Sequence, residues 1–404
     1  MGLGRAVETV RIRYCDVEWI NGDLRRLTKP DDWASLLTNV DAVINAAGVL
    51  QDGPGDDVVA VQSTAMHALF RSCDTQCVRR IVQISAVGAE ADAPTRFMTS
   101  KADADAALSV TDLEWIILRP GLVIGPTAYG ATALLRALAS VPFLLPIAFP
   151  RVMIQTVYVA DVADAALLAV EGRVQTRRAY DLVEPGIHRF DDVLSAFRSW
   201  FGLPSDRRII VPDALTRAAF RLGDALGRLG WRSPLRSTAL KQAEASITGD
   251  PTGWCAASGR EMLPLPETLR RMPASVQERW FARMWLLKPI AIGGLALFWI
   301  VSGIIALARF ETARTILLAH GLPIPVATAA VLIGSAIDIM IGLGFVVRRT
   351  MPAAAIASIA ATLAYLIAGS VWTTNLRLDP LGPFLKDIPL VLLALVTLAI
   401  APDR

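Results

Sequence analysis

Four apolar runs, each long enough to cross a bilayer, lie in the C-terminal third of this chain, and no comparable run precedes them. They cover residues 289–308, 325–347, 352–372 and 384–401, and two of them contain no charged residue. An α-helix rises about 1.5 Å per residue, so about 20 residues cross a hydrocarbon core of about 30 Å. The sequence therefore predicts a four-helix transmembrane bundle behind a domain of soluble composition.

The composition argues against nucleic-acid binding and metal binding. The chain has 404 residues, enough for two domains with separate cores. Its formal net charge is +3, and its basic residues form no aromatic-interleaved stripe, so we predict no nucleic-acid partner. No histidine or second cysteine pair completes a metal-binding set around Cys73 and Cys77. We therefore predict no metal site and reduced thiols.

Apolar segments alternate with amphipathic ones over the first third of the chain. The strand-like segments are residues 17–20, 41–45, 80–85 and 114–118, and the helix-like segments are residues 31–37, 57–71 and 95–108. Continuous apolar strands separated by helices are typical of a parallel sheet covered on both faces. Ligands bind such sheets beyond the carboxyl ends of the strands, so the informative loops are residues 22–24, 46–48, 85–88 and 119–125.

The pattern is looser between residues 128 and 280. We predict helices at residues 131–139, 161–169, 190–201 and 212–229. Residues 230–273 are rich in Gly, Pro, Ser and Arg, which is typical of surface loops and connectors.

Several short sequence elements follow one another in a characteristic order. Asn45-Ala46-Ala47-Gly48 follows a predicted strand, Ser85 ends the next strand, and Lys101 lies four residues after Phe97 on a predicted helix. Arg119-Pro120-Gly121 follows a third strand, and residues 159–163 read VADVA. This set resembles the short-chain dehydrogenase/reductase superfamily, most closely its atypical and extended members, over residues 17–170. The resemblance implies a Rossmann-like fold that binds NAD(P). It assigns to the cofactor Ala46, Ala47, Gly48, Ser85, Lys101, Arg119, Pro120 and Gly121.

The usual catalytic acid of this superfamily is missing. In its working members a Tyr hydroxyl moves the proton, the Lys one turn later lowers the pKa of that Tyr and holds the nicotinamide ribose, and a Ser binds the reacting oxygen. Ser85 and Lys101 match the catalytic Ser and Lys, but Phe97 occupies the Tyr position and has no proton to give. The resemblance therefore does not support ordinary Tyr-dependent carbonyl reduction. The alternative is that Phe97 packs in the core and Lys101 is a solvated helix residue.

The Gly-rich turn that opens a Rossmann fold is also missing. Such a turn follows the first strand and lets the pyrophosphate approach the backbone, whereas this sequence offers only Gly2 and Gly4 with no strand before them. We predict that residues 9–14 form the second strand of the fold and residues 17–20 the third, so that the first strand and first helix are absent. That loss would leave two half-sheets with unpaired edges, so we expect a fragment or a downstream start. It also argues against tight NAD(P) binding by the chain as written.

Asp23 is a further cofactor candidate. It follows the predicted strand at residues 17–20, where the superfamily places an Asp beside the adenine. An ordinary turn residue in Asn21-Gly22-Asp23 is an equally open interpretation.

The C-terminal region resembles the DoxX-like membrane domain. The resemblance is carried by residues 279–289, RWFARMWLLKP, and by residues 379–389, DPLGPFLKDIP. It covers residues 274–404 and implies a membrane domain fused behind a reductase-like domain.

Asp338 lies inside the second apolar run, about 13 Å along the helix from Val347. A carboxyl group at that depth must be protonated, paired or directed at a polar cavity. Two interpretations remain open, a proton- or quinone-linked site and a structural contact with a neighbouring hydroxyl or backbone group. Basic residues cluster before the first run, and Arg348 and Arg349 separate the second from the third, so the positive-inside rule places both termini of an inner-membrane, multi-pass protein in the cytoplasm.

Three regions follow from these observations. They are an N-terminally incomplete NAD(P)-binding domain at residues 1–170, a substrate-side or connector region at residues 171–287, and a DoxX-like domain with four transmembrane helices at residues 288–404. We hypothesise a membrane-anchored, NAD(P)-binding reductase-like protein that transfers hydride to a quinone or another lipophilic substrate. The alternatives are a non-catalytic NAD(P)-binding sensor or scaffold at the membrane and a small proton-linked transporter. The lipid bilayer is the expected partner in each case.

Overall fold

The computed structural model describes residues 1–53, 55–204, 207–231, 241, 244, 246–372 and 387–401. These residues fall into two compact units, one drawn from residues 1–221 and 234–279 and the other from residues 222–233 and 280–404. The strands, in chain order, are β1 (Gly2–Gly4), β2 (Trp19–Asn21), β3 (Ala42–Asn45), β4 (Arg80–Ile84), β5 (Glu114–Pro120), β6 (Leu122–Ile124), β7 (Leu144–Ile147), β8 (Met153–Ile154), β9 (Thr156–Tyr158), β10 (Arg178–Leu182), β11 (His188–Arg189) and β12 (Arg207–Ile210).

The helices of the first unit are α1 (Val7–Arg13), α2 (Pro30–Ala34), α3 (Ala65–Thr75), α4 (Arg96–Ser109), α5 (Ala131–Ala139), α6 (Val159–Val170), α7 (Phe190–Trp200), α8 (Asp213–Arg228), α9 (Thr252–Ser258) and α10 (Leu265–Arg271). A 3₁₀ turn covers Leu24–Arg26 and a π-helical turn, Ala60–Thr64, leads into α3. Helix α8 continues into the second unit, whose other helices are α11 (Val276–Ala308), α12 (Phe310–Ala319), α13 (Ile324–Val346), α14 (Met351–Trp372) and α15 (Asp387–Ala399).

A parallel sheet with the order β10-β5-β4-β3 forms the centre of the first unit. The centres of β4 and β5 are apolar, and Ile81, Val82 and Ile116 are fully buried, because helices cover both faces. One core cluster contains residues of α2, α3 and α4, and the other contains residues of α6 and α9. The predicted Rossmann-like parallel sheet is confirmed, although its edge strand β10 was not predicted.

The N-terminal segment differs from the prediction. Residues 9–14 were expected to form a strand, and this is wrong, because Val7–Arg13 form helix α1. The alternation of polar and apolar residues wrongly predicted a strand here. Val7 is buried but Ile12 is exposed, so the alternating residues do not form a buried sheet face. Gly2–Gly4, for which no strand was predicted, form β1 and pair in parallel with β2, with Gly2 close to the Trp19 ring. Among the described strands, β1 and β2 form a sheet of their own. The absence of the superfamily's first strand stays a prediction.

The second half of the first unit consists of short strand pairs and helices. Strand β6 pairs with β9, β7 with β12 and β8 with β11. The prediction of loops throughout residues 230–273 is wrong where α9 and α10 occur. Each of these helices begins with a proline in or next to its first turn, and each buries an apolar face through Trp254 and Leu269. A proline at a helix start is favourable, so a proline-rich composition did not exclude helices here.

Among the described residues, three helices are long and apolar enough to cross a membrane, namely α11, α13 and α14. The first apolar run was expected to begin at Pro289, but α11 begins at Val276 and passes through that proline. The fourth run is represented by α15, which has 13 residues, and residues 373–386 before it lie outside the described part. Helices α11 and α13 approach closely, since a Cβ at Gly303 would lie 2.6 Å from the Ser335 carbonyl oxygen.

Candidate functional site

The loops after β3, β4 and β5 meet at the carboxyl edge of the central sheet. Asn45, at the end of β3, donates from its amide to Gln83 Oε1 at 2.7 Å and accepts from the Ala47 N–H at 3.0 Å. Gln62 accepts from the Val49 N–H at 2.8 Å and donates to Ser100 Oγ at 2.8 Å. These two buried side chains therefore fix the loop 46–48 against helix α4.

Lys101 reaches this loop from helix α4. Its side chain is 5% exposed, and Nζ donates to the Ile84 carbonyl at 2.7 Å and to the Ala47 carbonyl at 3.2 Å. Burial lowers the pKa of Lys101 to about 8, although the Asp105 charge acts in the opposite direction. An ammonium group has three donor protons, so one remains for a ligand beside Gly48, where a Cβ would lie 3.7 Å from Nζ. The interpretation of Lys101 as a solvated helix residue is wrong.

Ser85 contacts a buried carboxyl group that the sequence interpretation missed. Its hydroxyl donates to Asp105 Oδ2 at 2.7 Å, and Arg119 lies 3.5 Å from the same oxygen. Asp105 is 4% exposed, and its Oδ1 has no hydrogen-bond partner among the described residues. Burial raises the pKa of Asp105, while the Ser85 hydrogen bond and the Arg119 charge lower it. The available signal was the spacing, because Asp105 lies four residues after Lys101 on one helix face.

The turn Arg119-Pro120-Gly121 lies next to Ser85. The Ser85 N–H donates to the Leu118 carbonyl at 2.8 Å, which continues the β4–β5 pairing to the site. Gly121 donates to the Leu182 carbonyl at 3.1 Å, and a Cβ there would lie 2.5 Å from the Gln155 carbonyl oxygen. Only glycine fits at this close approach of two backbones.

Phe97 is half-buried on α4, one turn before Lys101, and places no ionisable group in the site. Its carbonyl oxygen accepts from Gln62 Nε2 at 3.2 Å, so the backbone here is held even though the phenol is missing. The proton-carrying groups gathered at this edge are therefore Ser85, Lys101 and Asp105.

Asp23 is engaged within its own turn. Its carboxylate accepts from the Arg25 N–H at 3.1 Å and from Arg25 Nε at 2.9 Å, and it caps the 3₁₀ turn. The Arg25 side-chain hydrogen bonds lower the pKa of Asp23 to about 2. A role beside an adenine stays a prediction.

The β1–α1 connection contains Arg5 and Ala6 and carries no Gly-rich turn. The Arg5 guanidinium donates to Asp56 Oδ1 at 2.7 Å and to the Gly55 carbonyl at 2.6 Å. The residues present therefore fit the nicotinamide-ribose end of a dinucleotide, where Lys101 has a spare proton and Asp105 a spare oxygen. They do not supply the glycine pattern that holds a pyrophosphate.

A second buried carboxyl group lies in the helical unit. Asp338 on α13 accepts from Ser302 Oγ of α11 at 3.0 Å and from Tyr365 Oη of α14 at 2.8 Å. One turn from these residues, Trp299 Nε1 and Ser335 Oγ are buried and have no hydrogen-bond partner among the described residues. Three helices thus contribute to one polar layer with unused hydrogen-bonding atoms. In the described part of the chain, no group of three or more His, Cys, Asp or Glu side chains could hold a metal ion.

Two known protein families match separate parts of the chain. Residues 5–138 match the NAD(P)H-binding family and residues 296–395 match the DoxX-like family. The chain carries an N-terminal NAD(P)-binding domain and a C-terminal DoxX-like domain. No curated protein matches the chain.

Several solved structures share the fold of the first unit. The Bordetella bronchiseptica enzyme WbmG, solved in complex with NAD, is 12% identical with a TM-score of 0.51, over 68% of this chain and 84% of that one. The same enzyme in complex with NAD and UDP is 13% identical with a TM-score of 0.50, over 70% and 86% of the two chains. A nucleoside-diphosphate-sugar epimerase from Staphylococcus aureus is 12% identical with a TM-score of 0.51, over 67% and 90%. At these identities the likeness shows the fold alone.

Proposed function

We propose that this protein is a membrane-anchored NAD(P)-dependent reductase whose nicotinamide-side residues are Ser85, Lys101 and Asp105. The observation that carries the proposal is the buried Lys101 ammonium between the β3 and β4 loops, with one donor proton left over. The match to the NAD(P)H-binding family and the NAD held by the structural neighbour WbmG support it. Ala46, Ala47, Gly48 and the turn at residues 119–121 would border the nicotinamide.

The reaction needs a proton source other than residue 97. Bound NAD(P)H would supply a hydride to the substrate carbon. Ser85 would donate its proton to the substrate oxygen, and Asp105, whose pKa is raised by burial, would pass a proton to Ser85 over 2.7 Å. Lys101 would hold the ribose with its third proton.

We infer that the dinucleotide binds weakly, because Arg5 and Ala6 follow β1 where a Gly-rich turn would hold the pyrophosphate. The separate β1–β2 sheet and the short Arg5-Ala6 connection support this inference. The substrate would be lipophilic, with a quinone as the leading class, since the same chain carries apolar helices and a polar layer at Asp338. Four transmembrane helices, a connector at residues 171–287 and cytoplasmic termini at an inner membrane complete the proposal.

The test uses the full chain in detergent. We expect NADPH binding and slow NADPH oxidation with a short-chain quinone, weaker binding and loss of turnover in Lys101→Met, and loss of turnover with retained binding in Asp105→Asn. Phe97→Tyr should raise turnover because it restores an acid one turn before Lys101. Lys29→Met removes an exposed lysine and serves as the control. NADPH binding without turnover in wild type and Phe97→Tyr alike would favour the sensor or scaffold, and no binding at all would remove the nucleotide site.

A proton-linked transporter remains the second candidate, and the Ser302–Asp338–Tyr365 contacts are the observation that favours it. Proton-coupled flux in proteoliposomes that is lost in Asp338→Asn would support it. Equal flux in the wild type and in Asp338→Asn would refute it.

A further inference from the structure

Helix α8 has three distinct faces. The residues at one face are buried, and they are Thr216, Phe220, Gly223 and Gly227. A second face carries leucines at spacings of seven, four and three residues, which is one side of a helix, and they are Leu215, Leu222, Leu226 and Leu229. Of these, Leu215 and Leu222 are each 62% exposed. The third face carries Arg217, Arg221, Asp224 and Arg228. The leucine face therefore lies open beside a predominantly basic face.

The end of this helix is fixed within the helical unit. The Arg348 N–H donates to the Leu229 carbonyl at 3.2 Å, and Trp231 Nε1 donates to the Val346 carbonyl at 2.7 Å. Trp231 also packs against the apolar core of that unit. Val346 is the last residue of α13, one of the three helices long enough to cross a membrane. Leu229 and Trp231 therefore lie at the level where a spanning helix ends and the Arg348-Arg349 turn begins.

That level is the boundary between hydrocarbon and headgroups. A 23-residue apolar helix is about as long as the hydrocarbon core is thick, so its end meets the headgroup region. Lipid surrounds the end of such a helix without any other partner being required. Tryptophan side chains favour this boundary, and arginines beside an apolar helix face reach anionic phosphates.

We propose that residues 222–231 form an interfacial anchor that lies along the bilayer surface, with Leu222, Leu226 and Leu229 in the acyl boundary and Arg228 among anionic headgroups. The occupant of the open leucine face is thus the lipid bilayer itself. This proposal is independent of the nucleotide site, because it depends only on α8 and its contacts with α13.

The experiment places a nitroxide label at single cysteines in the full chain, with the four native cysteines replaced, in nanodiscs of phosphatidylcholine and phosphatidylglycerol. We expect the label at Leu222→Cys and at Leu226→Cys to collide more often with oxygen than with a water-soluble nickel complex. The label at Arg228→Cys, on the basic face, should show the opposite ratio and is the matched control. Removing phosphatidylglycerol should shift the Leu222 ratio toward water, because the arginine contacts are lost.

Two results would overturn the proposal. One is a Leu222 label that is as accessible to the nickel complex as the Arg228 label. The other is spin–spin broadening at Leu222 in fully labelled samples that disappears on dilution with unlabelled protein, which would place a second copy on the face. An unchanged thermal transition of each variant in detergent shows that the bundle is folded. Leu222→Ser is a second variant, and we expect protease to cleave residues 222–231 faster in this variant than in the wild type in nanodiscs.

Discussion

The pH dependence of nucleotide binding is the sharpest test of the Lys101 site. Below a pH of about 8 the Lys101 side chain is an ammonium with three donor protons, of which two go to Ile84 and Ala47 carbonyls. Above that pH the neutral amine has two protons, and both carbonyls still require them. No donor then remains for the ribose. We therefore expect NADPH affinity to fall as the pH rises from 7 to 9.5.

The magnitude follows from the single bond that is lost. A hydrogen bond from a charged group contributes about 1.5–3 kcal/mol, and about 3% of Lys101 is still an ammonium at pH 9.5, so the affinity should fall by roughly 10- to 30-fold. Stability should move in the opposite direction. The pKa of Lys101 is lowered on folding from 10.5 to about 8, so its contribution to stability is present above pH 10.5 and is lost as the pH falls through 8. The upper limit of that change is about 3 kcal/mol.

The assay is NADPH fluorescence titration of the full chain in detergent at several pH values, beside thermal unfolding over the same range. Lys101→Met should bind weakly at pH 7 and give a flat affinity profile, whereas Lys29→Met should retain the wild-type profile. The reasoning is refuted if wild-type affinity is the same at pH 7 and 9.5, or if Lys101→Met binds NADPH at pH 7 as well as the wild type does.

Two further predictions concern packing and a buried ion pair. Gly303→Ala places a Cβ against the Ser335 carbonyl and should lower the thermal stability of the helical unit by about 1–3 kcal/mol, whereas Gly293→Ala, which meets nothing within 4 Å, should not lower it. Equal melting of the two variants in detergent would refute this packing. Arg136 is 1% exposed and pairs with Glu278 at 2.5 Å, so Glu278→Ala should destabilise the first unit by about 3–5 kcal/mol, measured by denaturant unfolding. A loss below 1 kcal/mol would show that Arg136 finds water instead.

The local sequence pattern was enough to predict an element where its apolar residues were uninterrupted or regularly spaced. Strands β3, β4 and β5 were predicted within two residues, and helix α5 was predicted with its observed bounds. The parallel arrangement then placed the loops of residues 46–48, 85–88 and 119–125 at one edge, as the general rule for such sheets requires. Ser85 and Arg119 lie together for that reason, and no knowledge of side-chain contacts was needed.

The remainder depended on contacts distant in sequence. Strand β10 pairs with β5 from about 60 residues further along the chain, and its exposed Arg178 and half-buried Asp181 give it no continuous apolar signal. The apolar residues of the N-terminal segment, residues 7–14, are compatible with the spacing of either a helix or a strand. In the structure Val7–Arg13 form a helix that buries Val7. Asp105 was missed because a carboxylate on a helix is ordinarily a solvated residue, and only the fold shows that it is buried under Ser85.

Each of the two units contains a buried carboxyl group whose nearest hydrogen-bond donors are hydroxyls. Asp105 accepts from Ser85, and Asp338 accepts from Ser302 and Tyr365. A carboxylate in direct contact with a buried arginine cannot take up a proton without leaving that cation unpaired, which is costly in a low-dielectric interior. A hydroxyl can both donate and accept, so it remains satisfied in either protonation state of its partner. Arg119 also lies 3.5 Å from Asp105 Oδ2, but its side chain is 33% exposed and can turn to water when that carboxyl group takes up a proton. Both sites can therefore change their proton content with little rearrangement, which is the property that a hydride-linked proton donor and an intramembrane proton site would each require.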